Sequence, residues 1–321
     1  MQRVRRLSLA LLAAAALPAW AQDYPSKPVR VLIGFPPGQA TDVLGRAVAQ
    51  KLSETWGQQF NVDNKPGASG TIATQQAMQA PADGYTLLVS SSGVLAVNPH
   101  LFTKLTYDPV KDLVPVAGVA VVPLVLVANP SFPAGNVKDL VAAAKARPGG
   151  INYASSGIGI TNHLVMAMFL SAAGIDMTHV PYKGGPPALT DLMGGQVQVM
   201  FETSVAALPF VKQGRLKALA VSSAERVAAA PEVPTVAEQG FAGFSGVPWI
   251  CVMAPAGTPQ AIVTKLNTEI NRILQTPAMR EQFAAQGVQP MVMTPAQLGG
   301  FIKSEITKWG KAVKDSGAKA E

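Results

Sequence analysis

Val29-Arg30-Val31-Leu32-Ile33-Gly34-Phe35-Pro36-Pro37-Gly38-Gln39-Ala40-Thr41-Asp42 decides the fold. It reads as a buried strand, then a tight Pro/Gly loop, then the start of a helix. Such a loop lets backbone approach a ligand closely, and the helix behind it offers N–H groups with no intrahelical acceptor. Together these features hold a small anion without a charged side chain. A second version occurs at Ile151-Asn152-Tyr153-Ala154-Ser155-Ser156-Gly157-Ile158-Gly159-Ile160-Thr161. Two anion-holding turns in one chain point to a cleft that closes on a carboxylate.

Working outward, apolar strand-like runs occur at 29–35, 60–64, 85–90, 124–128, 151–154, 179–182, 197–201, 216–222 and 248–254. They alternate with helical patterns, the signature of a mainly parallel α/β sheet. A helix is expected over 41–56, with Leu44, Val48 and Leu52 on one stripe. Another is expected to start at Thr258-Pro259 as N-cap and first turn, with Ile262, Val263, Leu266, Ile270, Ile273 and Leu274 facing the core. A last helix should begin at Thr294-Pro295 and pass Trp309, leaving 314–321 frayed. About 300 residues beyond a leader, at roughly 150 per domain, give two domains. Long apolar stretches at 115–130 and 246–255 are the places where the chain can cross between them. The expected division is 22–123 with 246–321 as domain 1 and 124–245 as an inserted domain 2. A chain that crosses twice makes a two-strand hinge and a central cleft.

Residues 1–21 carry the marks of a secretory leader: Arg3, Arg5 and Arg6, a short apolar core at 7–16, and Ala19-Trp20-Ala21 as the cleavage site. That apolar run is too short to span about 30 Å of hydrocarbon. Export with cleavage after Ala21, into the periplasm, is therefore expected. The chain carries a formal charge of +7, and removing the three leader arginines lowers it to +4. No basic stripe interleaved with aromatics is present, which argues against nucleic acid. The single cysteine, Cys251, has no partner within the chain and sits in a run that reads as buried strand. Charged residues make up 14% of the chain, well below the usual figure of about 25%, so the fold must bury a large apolar fraction.

In open α/β sheets, ligands bind beyond the carboxyl ends of strands. The segments there are mostly uncharged and rich in Gly, Ser and Thr, with Lys65, Lys183 and Glu202 the charged residues among them: 36–41, 65–71, 90–93, 155–157, 183–185 and 202–204. Taken singly, each also fits ordinary turn chemistry with a hydroxyl capping a helix; six in series point to a ligand cleft. Glu202 either receives a ligand ammonium or hydroxyl or serves the dipole of the following helix. Lys183 either pairs with a distal carboxylate or is a solvated loop lysine. His100, His163 and His179 lack metal-ligand spacing, so no metal is expected. No nucleophile elbow, Walker A loop or complete dinucleotide fingerprint is present, which lowers an enzyme reading.

Several further motifs carry a resemblance. They are Gly34-Phe35-Pro36-Pro37-Gly38 with Thr41-Asp42, Asn64-Lys65-Pro66-Gly67-Ala68-Ser69-Gly70 and Asp83-Gly84-Tyr85-Thr86-Leu87-Leu88. To these add Tyr153-Ala154-Ser155-Ser156-Gly157 with His163-Leu164, His179-Val180-Pro181-Tyr182-Lys183-Gly184 and Leu216-Lys217-Ala218-Leu219-Ala220-Val221. In this order they resemble the substrate-binding proteins of tripartite tricarboxylate transporters, the Bug receptors. The resemblance implies a two-domain α/β periplasmic binding protein of type II-like form. It would be a monomer that passes an organic acid to a membrane permease of one large and one small subunit. It implies a carboxylate held largely by backbone groups and ordered water. Sensing for a membrane histidine kinase is the alternative role. The expected ligand residues are Phe35, Gly38, Gln39, Ala40, Thr41, Ala68, Ser69, Gly70, Ser91, Ser156, Gly157, Thr161, Lys183 and Glu202, with no catalytic residue, cofactor or metal. The chain departs from the family pattern at Gln39-Ala40, where Gly and a small polar residue are usual, and at Glu202, where aspartate is common.

Overall fold

The computed structural model describes residues 24–316. The expected leader and its expected cleavage after Ala21, like residues 317–321, lie outside the described residues. Six strands form one mixed sheet: β1 (Val29–Ile33), β2 (Phe60–Asn64), β3 (Thr86–Ser91), β4 (Leu113–Val121), β10 (Trp249–Pro255) and β11 (Gln289–Pro290), in the order β11-β4-β10-β3-β1-β2. Five more form a second sheet: β5 (Leu124–Ala128), β6 (Asn152–Ser155), β7 (Thr178–Pro181), β8 (Val199–Thr203) and β9 (Lys217–Val221), in the order β7-β6-β8-β5-β9. Each sheet is the floor of one lobe.

The alternation of strands and helices holds, but the expectation of mainly parallel sheets does not. β1 pairs in parallel with β2 and β3, and β6 with β7 and β8. β10 runs antiparallel to both β3 and β4, and β5 runs antiparallel to both β8 and β9. The cause is the crossing itself. β4 carries the chain out of the first sheet and β10 brings it back alongside, so the two must run in opposite directions. Fully buried strands carry no alternation in their sequence that would reveal direction. The stretch 115–130 is accordingly not one strand: β4 and β5 belong to different sheets and meet at Val122-Pro123. The Val122 amide donates to the Pro248 carbonyl at 2.8 Å, which ties the outgoing and returning chains together.

The helices that matter for the cleft are α1 (Ala40–Trp56), α2 (Thr71–Met78), α3 (Asn98–Leu101), α4 (Val137–Ala146), α5 (Thr161–Ala173), α6 (Gly185–Met193) and α7 (Ser204–Lys212). α1 buries Leu44, Val48 and Leu52 on the expected stripe and stops at Gly57, whose left-handed φ of 66° lets its amide return to the Ser53 carbonyl. α8 (Gln260–Gln275) buries Val263, Leu266, Ile270, Ile273 and Leu274 as expected. It begins later than its Thr-Pro signal suggested. Pro259 is the N-cap, and the Thr258 hydroxyl is spent on the Pro255 carbonyl at 2.8 Å. After α9 (Pro277–Ala285), the last helix, α10 (Pro295–Ser316), opens with a capping box. The Gln297 amide donates to Thr294 Oγ1 at 3.2 Å while the Thr294 amide donates to Gln297 Oε1 at 2.9 Å. α10 runs through 314–316, where fraying was expected, because its buried face continues to Val313.

One core cluster holds residues of both lobes, with Leu32 and Leu95 from the first and Leu164 and Phe169 from the second, joined by Leu298, Ile302 and Trp309 of α10. Buried Glu305 on α10 accepts from the indole N–H of both Trp249 and Trp309, each at 2.8 Å. Cys251 lies fully buried in β10, and burial pushes its thiol pKa up, which fits a packing role.

Candidate functional site

Between the lobes lie two neighbouring chambers that share part of their lining. The outer one has a volume of about 660 Å³ and a largely apolar wall, including Phe35, Phe102, Ile160 and Tyr182, with Lys183 among the residues at its rim. The inner one is about 40 Å³, room for one small polar group. Phe35, Ser156 and Ile160 belong to both and form the partition.

The inner chamber is where three helix starts converge. Gln39, Ala40 and Thr41 come from α1, Ile160, Thr161 and Asn162 from α5, and Glu202 and Thr203 from the turn into α7. Their N-cap residues, Gln39, Ile160 and Thr203, make no side-chain capping hydrogen bond. Away from the cleft, Asn136 caps α4 by accepting from the Asp139 amide, and Thr276 caps α9 by accepting from the Met279 amide. First-turn amides need acceptors, and each helix start contributes about half a positive charge. At α7 the Ser204 amide is taken by the Pro123 carbonyl at 2.9 Å and the Thr203 amide by Glu202, so it is the uncapped ends of α1 and α5 that suit an anion. The Gln39 side chain is 7% exposed, and its Oε1 has no hydrogen-bond partner.

Glu202 is 1% exposed. Its Oε1 accepts from the Thr203 amide at 2.7 Å and the Thr203 hydroxyl at 3.0 Å, and its Oε2 accepts from Ser156 Oγ at 3.3 Å. Desolvation pushes its pKa above the ordinary carboxylate range, and these donors oppose that only in part. Ser156 is fixed in turn by Asn162, whose Nδ2 donates to Ser156 Oγ at 2.9 Å. Across the cleft, Ser92 Oγ and Thr161 Oγ1 are 3.1 Å apart, and Ser69 Oγ donates to the Ile158 carbonyl at 2.6 Å. These bonds join the two lobes, so the cleft is shut.

Of the residues singled out in the sequence, Gln39, Ala40, Thr41, Ser91, Thr161 and Glu202 lie at the inner chamber. Ala68, Ser69, Gly70, Gly157 and Lys183 lie at the outer one, and Phe35 and Ser156 at both. Gly38 lines neither; it is exposed, and its amide donates to Asp42 Oδ2 at 2.9 Å. Asn162, Thr203, Trp249 and the apolar partition residue Ile160 also line the inner chamber, though they were not among the expected ligand residues. Asn162 and Thr203 were signalled by their place in the first turn or cap of helices already suspected. Trp249 gave no signal, because its β-strand run reads as core.

Behind His163 lies a ring stack. His163 and His179 have centroids 4.2 Å apart at an interplanar angle of 5°, and Tyr153 stacks on His179 at 4.8 Å. Burial lowers the pKa of both histidines, that of His179 to about 4 with His163 adding to the shift. Among the described residues, no three His, Cys, Asp or Glu side chains gather as a metal site. Among the same residues, no helix is long and apolar enough to cross a membrane.

Residues 44–318 match the family model described as the tripartite tricarboxylate transporter family receptor, TctC. Protein BugT of Bordetella pertussis is 43% identical over 308 residues, covering 96% of this chain and 94% of BugT. The R. palustris protein Rpa4515, solved with adipate, is 36% identical with a TM-score of 0.91, covering 92% of this chain and 99% of that one. MatC from Rhodopseudomonas palustris, solved with bound malate, is 32% identical with a TM-score of 0.85, covering 90% of this chain and 100% of that one. The two-sheet fold, the shut interlobe cleft and these likenesses place the chain in the tripartite tricarboxylate transporter receptors, the Bug group of periplasmic solute-binding proteins, which act in transport and not in catalysis.

Proposed function

We propose that this receptor captures a small organic carboxylate in the periplasm and delivers it to a tripartite tricarboxylate-type permease of one large and one small membrane subunit. One ligand carboxylate occupies the inner chamber, and the body of the ligand extends into the outer chamber toward Lys183. The observation that carries this reading is the convergence of two uncapped helix starts, those of α1 and α5, on a 40 Å³ chamber. Amides there supply charge-assisted hydrogen bonds to a carboxylate without a buried cation. Gln39, with its unpartnered oxygen, and buried Glu202 choose what the carboxylate carries beside it. Two relatives were solved with dicarboxylates, adipate and malate, which supports the same class here. The lobes hinge where the chain crosses, at 123/124 and 245/246, and the leader is removed after Ala21.

The test is a thermal-shift screen of protein unfolded and refolded to strip carried-over ligand. Aliphatic di- and tricarboxylates, aromatic acids and acidic amino acids make up the panel. A ligand at 100 times its Kd adds about 2.7 kcal/mol, a shift of several degrees for a chain of this size. Stabilisation by one acid class supports the assignment. Folded protein that responds to no acid rejects it.

A further inference from the structure

Residues 67–70 form a left-handed turn. Gly67, Ala68, Ser69 and Gly70 have φ of 133°, 46°, 51° and 88°, and Ala68 and Ser69 are the non-glycine residues with positive φ among the described residues. L-residues avoid this region because Cβ crowds the carbonyl oxygen, at a cost of roughly 1–2 kcal/mol each. Such backbone persists only where its surroundings over-determine it, and it clusters at clamps and switches. Here the first lobe supplies part of that support. The Gly70 amide donates to the Gly67 carbonyl at 3.0 Å, and fully buried Asn98 donates from Nδ2 to the Ser69 carbonyl at 3.1 Å. A side chain on Gly34 would stand 2.8 Å from Gly70 Cα, so the turn is seated directly on the first strand-loop. The rest of the support crosses the cleft. The turn aims Ser69 Oγ at the Ile158 carbonyl, 2.6 Å away in the other lobe.

We propose that Ser69 is an interlobe latch: the left-handed turn presents its hydroxyl to the Ile158 carbonyl, and this bond sets how long the closed receptor keeps its ligand. Ser69 is then a positioning residue and not a ligand donor, because its only hydroxyl proton is spent on Ile158. The bond fixes the 156–160 segment, whose Ser156 and Ile160 form the partition over the inner chamber. In an open receptor the two lobes part and the bond cannot exist, so it contributes to the closed form alone. The inference rests on the carboxylate reading only for the choice of probe.

Two substitutions separate a latch from a structural role. Ser69→Ala removes the hydroxyl and keeps Cβ; Ser69→Gly removes both and relieves the left-handed backbone. With adipate as probe in stopped flow, both should raise koff about three- to tenfold, the worth of one hydrogen bond, and leave kon within about twofold. The ligand-free melting temperature should not fall, and Ser69→Gly should raise it. An unchanged koff, or a ligand-free melting temperature lowered in both variants, overturns the latch. Spin labels at Lys111→Cys and Lys145→Cys, exposed positions on opposite lobes, give an independent readout. The ratio of closed to open distance populations, with and without adipate, should fall by the same factor in Ser69→Ala. A wild-type distribution without the closed population, or one unaltered by the substitution, rejects the proposal. If no carboxylate binds the wild-type protein, the functional reading falls while the distance measurement still decides the latch.

Discussion

Pro36 and Gly184 face each other across the closed cleft so closely that a methyl group on Gly184 would stand 2.8 Å from Pro36 Cγ. The two residues belong to different lobes, and Gly184 also holds φ at 115°, a conformation that side chains resist. Closure therefore uses the absence of a side chain at 184. Gly184→Ala should weaken carboxylate binding at least tenfold, since about 1.4 kcal/mol lost from the closed form is a factor of ten. Calorimetric titration measures this. Affinity equal to wild type would falsify the closed geometry described above.

Gln39 presents a buried amide oxygen with no partner. An unsatisfied buried polar atom costs about 1–3 kcal/mol. Gln39→Met keeps the length and removes that cost. The ligand-free protein should gain up to about that much stability in urea unfolding, while affinity for acids bearing a hydroxyl or ammonium falls more than affinity for plain diacids. A variant that loses stability without ligand would show that the Gln39 amide is already satisfied by bound water.

Glu202 has its pKa raised by burial. Because the folded state favours the protonated acid, this group's contribution to stability is greatest below the ordinary glutamate pKa and is lost as pH rises through the raised one. Glu202→Gln keeps the Thr203 and Ser156 contacts in similar shape and removes the ionisation. The melting-temperature difference, variant minus wild type, should grow as pH is taken from 4.5 upward. A flat difference from pH 4.5 to 9 argues that donors at the chamber hold the carboxyl at its ordinary value.

The stacked His163 and His179 act in the opposite direction. Their pKa values are lowered, that of His179 to about 4, so the folded state favours the neutral rings. Stability supplied by this pair is complete above the ordinary histidine pKa of about 6.5 and is lost as pH falls toward 4. The pair also holds the cleft loop. Ser155 Oγ and His179 Nε2 are 2.7 Å apart, and the Gly159 amide donates to His163 Nδ1 at 3.4 Å. Melting temperature should drop between pH 6.5 and 4 in wild type. The drop should be smaller in His179→Phe, which keeps the stack without the charge. Equal drops in both proteins would assign the acid lability elsewhere.

The paired Trp249 and Trp309 depend on Glu305, which accepts from both indoles at 2.8 Å. Hydrogen bonds to a charged group are worth about 1.5–3 kcal/mol. Glu305→Ala should cost roughly 2–4 kcal/mol in urea unfolding, while Glu305→Gln, which keeps an acceptor oxygen, should cost clearly less. Equal losses would show that the charge and not the acceptor is what the indoles need.

The amino-acid sequence by itself determined the local chemistry. The run from Val29 to Asp42 set strand, loop and helix start because Pro, Gly and apolar periodicity act over a few residues. The stripe of α1 and the helix start at Thr294-Pro295 followed from the same short-range rules, and the small polar loops already pointed to the cleft. Tertiary structure alone decided what those loops do together. It turned β10 against β3 and β4, directions that a buried apolar run does not encode. It divided the loops between a 40 Å³ inner chamber and a 660 Å³ outer one, left Gly38 outside both, and brought Asn162, Thr203 and Trp249 in. It also set the Ser69 hydroxyl against the Ile158 carbonyl, a contact 89 residues apart in the chain. The reason is physical. Propensity and capping depend on neighbours in sequence, whereas a cleft exists only where two lobes, built from distant segments, meet.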